Sequence, residues 1–295
     1  MKQFSTRTFG KWILAGEHAV LRGSPALAFP LTARFLELNY EPGLDSLDVE
    51  FRGDNGEELK LLFYGVIENA LSRLKVTEPL KGRFVLTSSL PVGAGLGASA
   101  ALCGAIARWC EAQGWIREVE VYEFARKLED LFHGESSGVD LAVSLSAQGI
   151  RFVRGGERQK LKTEWWPKFY LSYCGRRGMT AECVNKVKDM FASHPEKARQ
   201  TDAKMREAVA LAERALNEPQ DNGELNLKKS IDLARECFET WDLCGGDVGT
   251  HMRQLLEAGA WAVKPTGSGG GGYVLSLWRK DPPSSLRSSL IALMS

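Results

Sequence analysis

No run of apolar residues in the sequence is long enough to span a bilayer, and the first residues, Met1 to Arg7, lack the apolar core of a secretory leader. A cytoplasmic protein is the expectation. Six cysteines are scattered without a Cys-x-x-Cys pair, so neither a zinc site nor a disulfide framework is indicated. Basic residues do not cluster: 38 Lys and Arg are mixed with 37 Asp and Glu for a net charge of +1, which leaves no footprint for a nucleic-acid backbone. There is no internal repeat, and no low-complexity tract beyond one glycine loop near the end. What is present is ordinary globular material: 295 residues, 44% apolar and 25% charged, enough for a large core and most simply two domains.

The most informative stretch is Pro91-Val92-Gly93-Ala94-Gly95-Leu96-Gly97-Ala98-Ser99-Ala100-Ala101, which follows an extended run and opens a run of helix formers. Alternate glycines just before a helix start bring backbone N–H groups close to a ligand, and the free N–H groups of the first turn favour an anion. The order suggests a phosphate cradle. Ser99, in the first helical turn, can cap the helix or reach a metal ion on the phosphates. No Gly-Lys-[Ser/Thr] follows, and the spacing is not Gly-x-Gly-x-x-Gly, so the P-loop and dinucleotide patterns both fail.

Along the chain, residues 4–8 and 11–15 read as two short strands or one bent strand. In the segment after them, Lys11, Glu17 and His18 are set among small and apolar residues, where a solvated turn with a Lys–Glu pair is the simpler account. Period-two alternation over 33–41 and 47–52, with Pro-Gly between, predicts a hairpin. Helices are predicted near 59–75, 99–113 and 119–132, with a strand at 83–89 feeding the glycine loop. Glu129 borders an apolar stripe, where a carboxylate is usually solvated or paired with lysine. Asp140 follows a loop of small residues and is either an N-cap or a catalytic carboxylate.

Trp165-Trp166-Pro167 marks the expected boundary between domains 1–165 and 166–295. Beyond it the pattern predicts a strand at 168–174, helices near 180–192, 199–217, 224–242 and 248–258, and two strands joined by the glycine loop 267–272. That loop is a flexible hairpin connection or a second backbone surface for phosphates. Residues 284–294 read as a closing helix.

Three separated segments resemble one family, the kinases grouped as galactokinase, homoserine kinase, mevalonate kinase and phosphomevalonate kinase (the GHMP kinases). They are Gly10-Lys-Trp-Ile-Leu-Ala-Gly-Glu-His-Ala-Val20, the loop from Pro91 to Ala101, and Lys264-Pro-Thr-Gly-Ser-Gly-Gly-Gly-Gly272, with a fourth match from His133 to Asp140. Gly-Glu-His-Ala-Val resembles the mevalonate kinase branch. The resemblance implies an α+β fold with an N-terminal domain like ribosomal protein S5 domain 2 and a ferredoxin-like C-terminal domain, with the active site in the cleft between them. It implies ATP and Mg²⁺ as cofactors, a small hydroxy acid as acceptor, no nucleic-acid or membrane partner, and leaves a homodimer open.

Carried over residue by residue, the resemblance makes Asp140 the catalytic base and Lys11 its partner near the reacting hydroxyl. Ser99 and Glu129 would hold Mg²⁺; Glu129 stands eleven residues before Asp140, as in the family motif. Gly93, Ala94, Gly95, Leu96, Gly97, Ala98 and Ser99 would cradle the triphosphate. Lys11, Glu17, His18, Thr180 and Gly267 would line the acceptor pocket, with the loop to Gly272 shaping it. The implied reaction is phosphorylation of the primary hydroxyl of mevalonate; the alternatives are a sibling kinase such as phosphomevalonate kinase, or a non-catalytic nucleotide-binding sensor. Departures from the family pattern at Thr8-Phe9, Ala98, Glu135-Ser136 and Pro265 remove no catalytic group, whereas Trp12, Glu135 and Ser136 fall close to the expected acceptor pocket.

Overall fold

The computed structural model describes residues 1–53, 55–133 and 137–293. By internal contacts the chain divides into two units, Met1–Lys11, Pro30–Val92 and Leu96–Ala147 in the first, and Trp12–Phe29, Gly93–Gly95 and Gln148–Ser295 in the second. The expected α+β class is observed.

Of the two readings for the start, two short strands or one bent strand, the single strand forms, β1 (Phe4–Ala15). It pairs with β2 (Ala26–Glu41), a strand whose first residues, through Phe29, belong to the second unit and whose remainder, from Pro30, belongs to the first. In the first unit, β4 (Gly82–Ser88) runs antiparallel to β2, from Leu36↔Ser88 to Glu41↔Arg83, and parallel to β3 (Leu47–Arg52), from Leu47↔Gly82 to Arg52↔Thr87. The expected β2–β3 hairpin is therefore absent, with β4 inserted between its two strands. Alternation identifies a half-buried strand but not its neighbour. Here a helix, α1 (Gly56–Arg73), supplies the long crossover that parallel pairing of β3 and β4 requires.

Helix α2 (Ala98–Ala112) is the centre of this unit, in contact with α1, α3 (Val121–His133) and α4 (Val139–Ser146). Its residues from Ala100 to Ala107 are all buried, which suits a sequence of Ala, Gly, Cys, Leu and Ile without a charge before Arg108. Small side chains let neighbouring helices approach closely. At its far end Trp109 meets Phe84 and Tyr40 at ring distances of 5.0 and 5.4 Å, closing the core against the sheet.

In the second unit, the start of β2 pairs with β5 (Ile150–Phe152), which pairs with β6 (Arg158–Lys160). A separate antiparallel sheet has the order β10-β7-β9-β8, built from β7 (Lys168–Tyr173), β8 (Ala262–Pro265), β9 (Tyr273–Trp278) and β10 (Leu290–Leu293). Helices α5 (Thr180–Ser193), α6 (Pro195–Asn217), α7 (Gln220–Thr240) and α8 (Gly246–Glu257) complete the unit. The closing helix expected at 284–294 is instead a 3-10 turn over Ser284–Ser289 followed by β10 on the edge of β7. Leu-Ile-Ala-Leu is too short for its period to separate helix from strand, and an open sheet edge decides. Among the described residues no helix is long and apolar enough to cross a membrane.

Candidate active site

The first unit brings together Lys11, Gly97, Ala98, Ser99, Glu129 and Asp140. Lys11 lies on β1, and its backbone N–H donates to Leu96 O at 2.9 Å, tying the strand to the end of the glycine loop. Gly97 caps α2 with φ 81°, a left-handed conformation that costs an L-residue about 1–2 kcal/mol. A Cβ there would stand 3.0 Å from Lys11 Cγ, so the loop closes directly over the lysine stem. The Lys11 Nζ reaches Asp140 Oδ2 at 3.3 Å, with the lysine side chain 5% and the aspartate 26% exposed.

The N-cap of α4 is Gly138, so Asp140 is not the cap; it sits in the first turn, where the helix dipole favours a carboxylate. The solvated Lys11–Glu17 turn is likewise not what forms. Lys11 pairs with Asp140, and Glu17 is buried with a different lysine, as described below.

Ser99 is the second residue of α2 and is half-buried, whereas Glu129 on α3 is 1% exposed. Cys103 stands one turn beyond Ser99 on the same face of α2, and its thiol is pushed well above the usual range by burial first and then by the charge of Glu129. The Glu129 carboxylate therefore lies beside the face that carries Ser99. A hydroxyl and a carboxylate are hard oxygen donors suited to Mg²⁺. The described residues contain no cluster of three His, Cys, Asp or Glu side chains fit for a metal, so phosphate oxygens and water would complete such a shell.

Along the glycine loop the side chains of Ala94, Leu96 and Ala98 are buried at 5%, 1% and 6% exposure, while Gly93 and Gly95 are exposed. The loop thus turns bare backbone outward.

The second unit collects Glu17, His18, Thr180 and Gly267. Glu17 is buried in an ion pair with the fully buried Lys264 at the end of β8. His18, 6% exposed, has φ 56° and ψ −48°, a backbone state that costs roughly 1–3 kcal/mol unless its surroundings enforce it. Its Nε2 lies 2.8 Å from Ser268 O; a carbonyl only accepts, so Nε2 carries the proton. Burial against Phe238 and Trp241, with Arg22 nearby, lowers its pKa to about 4 although the Ser268 bond opposes the shift. Ser268 also meets the Thr180 hydroxyl at 3.4 Å, bringing Thr180 and Gly267 to the same loop as His18. Gly272 backs onto Ala94, whose O would be 2.9 Å from a Cβ at that position.

Trp12, expected near the acceptor pocket, is fully buried, stacked on Phe29 at 4.7 Å and tilted against Phe169 at 5.4 Å. Glu135 and Ser136 lie outside the described residues. The motif that contains Lys264 assigns it no role. The available signal was a lone charge closing the apolar run Ala260-Trp-Ala-Val, where β8 is buried at every position.

Known proteins resemble this chain over most of its length. The family profile of the GHMP kinases N terminal domain matches residues 62–148. Mevalonate kinase of Thermococcus sibiricus is 30% identical over 297 residues, covering 90% of this chain and 86% of that one, and mevalonate kinase of Archaeoglobus fulgidus is 27% identical, covering 93% and 92%. The structure of L. major mevalonate kinase in complex with R-mevalonate superposes with a TM-score of 0.79 at 22% identity over 98% of this chain and 90% of that one. Streptococcus pneumoniae phosphomevalonate kinase in complex with phosphomevalonate and AMPPNP gives 0.71 at 16%, over 94% and 93%. The chain belongs to the GHMP kinase family, and with it to the ATP-dependent small-molecule kinases.

Proposed function

We propose that this kinase phosphorylates the primary hydroxyl of mevalonate to give 5-phosphomevalonate. The observation that carries the chemistry is the Lys11–Asp140 pair at 3.3 Å, a carboxylate held by a buried cation beside the glycine loop's last residues. Asp140 takes the proton of the acceptor hydroxyl as its oxygen bonds to the γ-phosphorus, and the bond from that phosphorus to the bridging oxygen breaks to release ADP. Lys11 orients the carboxylate and faces the negative charge that develops on the acceptor oxygen. Ser99 and Glu129 are the residues that would hold Mg²⁺, which when bound supplies charge neutralisation across the β- and γ-phosphates. The acceptor assignment is supported by the Gly-Glu-His-Ala-Val run and by the names of the relatives. Domains 1–165 and 166–295 belong to the same reading.

One observation favours a phosphorylated acceptor as the second reading: the exposed Arg177 guanidinium would lie 3.8 Å from a Cβ at Gly93. Arg176, Lys186 and Lys188 are the further cations that could serve such an acceptor, and Lys186 bonds Asp242 at 2.7 Å.

The test is ADP release with ATP and Mg²⁺ over mevalonate, phosphomevalonate, diphosphomevalonate, homoserine and galactose, beside Asp140→Asn. Turnover with mevalonate that drops by about 10²–10⁴-fold in Asp140→Asn, with ATP binding retained, is the expected outcome. Turnover with a different acceptor alone, or a variant as active as the parent, would overturn the assignment.

A further inference from the structure

The buried pair of Lys264 and Glu17 has no part in the phosphoryl transfer described above. The Lys264 ammonium is fully buried, and its three protons meet three acceptors: Ile13 O at 3.1 Å, Pro265 O at 2.7 Å and Glu17 Oε1. A lysine engaged in this way acts through the groups it holds, and those groups lead to His18. Thr266 fastens Ile13 a second time, its Oγ1 accepting from Ile13 N–H at 2.9 Å and donating to Ile13 O at 3.1 Å. His18 donates to Ser268 O. One short stretch, 264–268, thus grips residues 13, 17 and 18. On the other flank, Arg22 is held by Asp202 of α6 through two bonds of 2.6 Å and lies 4.4 Å over the Phe191 ring.

Packing alone does not call for charge here. Well-fitted apolar residues in place of a buried ion pair are often neutral or stabilising. What the pair adds is direction: two backbone carbonyls fix the ammonium, and the carboxylate must then sit where the remaining proton points. His18, the next residue, carries the uncommon backbone state of φ 56° and ψ −48°.

We infer that Lys264 is a positioning residue which, through Glu17, sets the His18 imidazole for recognition of the acceptor. The inference rests on the reading of His18 as part of the acceptor pocket.

The test compares Lys264→Met, Glu17→Leu and the double variant with the parent, all below the lowest melting temperature. It reads melting temperature, kcat, KM for mevalonate and for ATP, and the imidazole ¹⁵N signals of His18, one of four histidines, assigned with His18→Gln. Each single variant leaves a buried charge facing an apolar side chain and melts lower. The double variant regains the parent's melting temperature, yet its KM for mevalonate stays raised by about 10-fold or more with KM for ATP unmoved, and its His18 signals are displaced. A double variant that recovers the mevalonate KM and the His18 signals together overturns the inference and leaves the pair as packing only. Absence of mevalonate turnover in the parent is a separate failure, of the functional reading. The His18 signals then decide alone: displaced in the double variant they uphold the positioning role, and unmoved they refute it.

Discussion

Two glycines of the loop offer a controlled experiment on Lys11. Gly95 and Gly97 have φ of 82° and 81°, so an alanine at either meets the same left-handed penalty of about 1–2 kcal/mol. Each kcal/mol corresponds to a fall of roughly 2–4 °C in melting temperature for a chain of this size class. The surroundings differ. A Cβ at Gly95 has no neighbour within 4 Å, whereas one at Gly97 lies 3.0 Å from Lys11 Cγ and 3.7 Å from Lys11 Cε. Carbon atoms settle at about 3.5–4.0 Å, so the contact at Gly97 must be relieved by about 0.5 Å. The Lys11 backbone is tied to Leu96 O, leaving the lysine side chain as the part that yields. A misplacement of about 1 Å in an aligned site can cost about 10²-fold in rate, and half of that about 10-fold. Gly97→Ala should therefore lower kcat by roughly 10-fold, while Gly95→Ala, at an exposed point of the loop, mainly raises KM for ATP. Melting curves and ADP release on both variants make the comparison. Equal melting losses with parental kcat in Gly97→Ala would refute a catalytic role for the Lys11 position.

Further outcomes follow from burial. His18 titrates near 6.5 when unfolded and at about 4 when folded, so between those values the unfolded chain binds the extra proton and stability falls as pH drops from 6.5 toward 4. The loss amounts to about 3 kcal/mol, and His18→Gln should flatten that part of the stability profile; an unchanged profile would reject the assignment. Half-buried His251 shifts in the same direction and supplies the residual slope. Among six free cysteines, Cys103 is pushed well above its usual range, and Cys110, Cys237 and Cys244 up to about 12, in each case chiefly by burial. A disulfide-exchange reagent should react in the native protein with Cys174 alone at an appreciable rate and with all six after unfolding. Fast labelling of Cys103 or Cys110 would contradict the buried α2 core.

The glycine loop and the buried helix behind it were legible because their signals are local, whereas Asp140 reads locally as an N-cap or a catalytic carboxylate and only the family resemblance chose between them. Three alternate glycines before a run of Ala, Leu and Cys can be read without knowing what lies opposite. Pairing information was not local: β3 shows the alternation of a strand but not that β4 would separate it from β2, and Leu290 to Leu293 could join a helix or an open sheet edge equally well. Glu129 shows the same limit, since its border position on α3 says nothing about the face of α2 beside it. Lys264 was harder still. Two of its three acceptors lie 247 and 251 residues earlier in the chain, and only the fold reveals that a lone charge in an apolar strand has a built counterpart.

The span of that clamp also orders events during synthesis. Strand β3, helix α1 and strand β4 are consecutive in the chain and pair with one another, so the frame that carries the glycine loop closes from nearby segments soon after they leave the ribosome. The lysine, threonine and serine that hold residues 13, 17 and 18 emerge only with 264 to 268, long after the residues they hold. The earlier-made stretch of the candidate site is consequently among the last to take its final shape, and a nascent chain whose glycine loop is already in place still lacks the fixed imidazole.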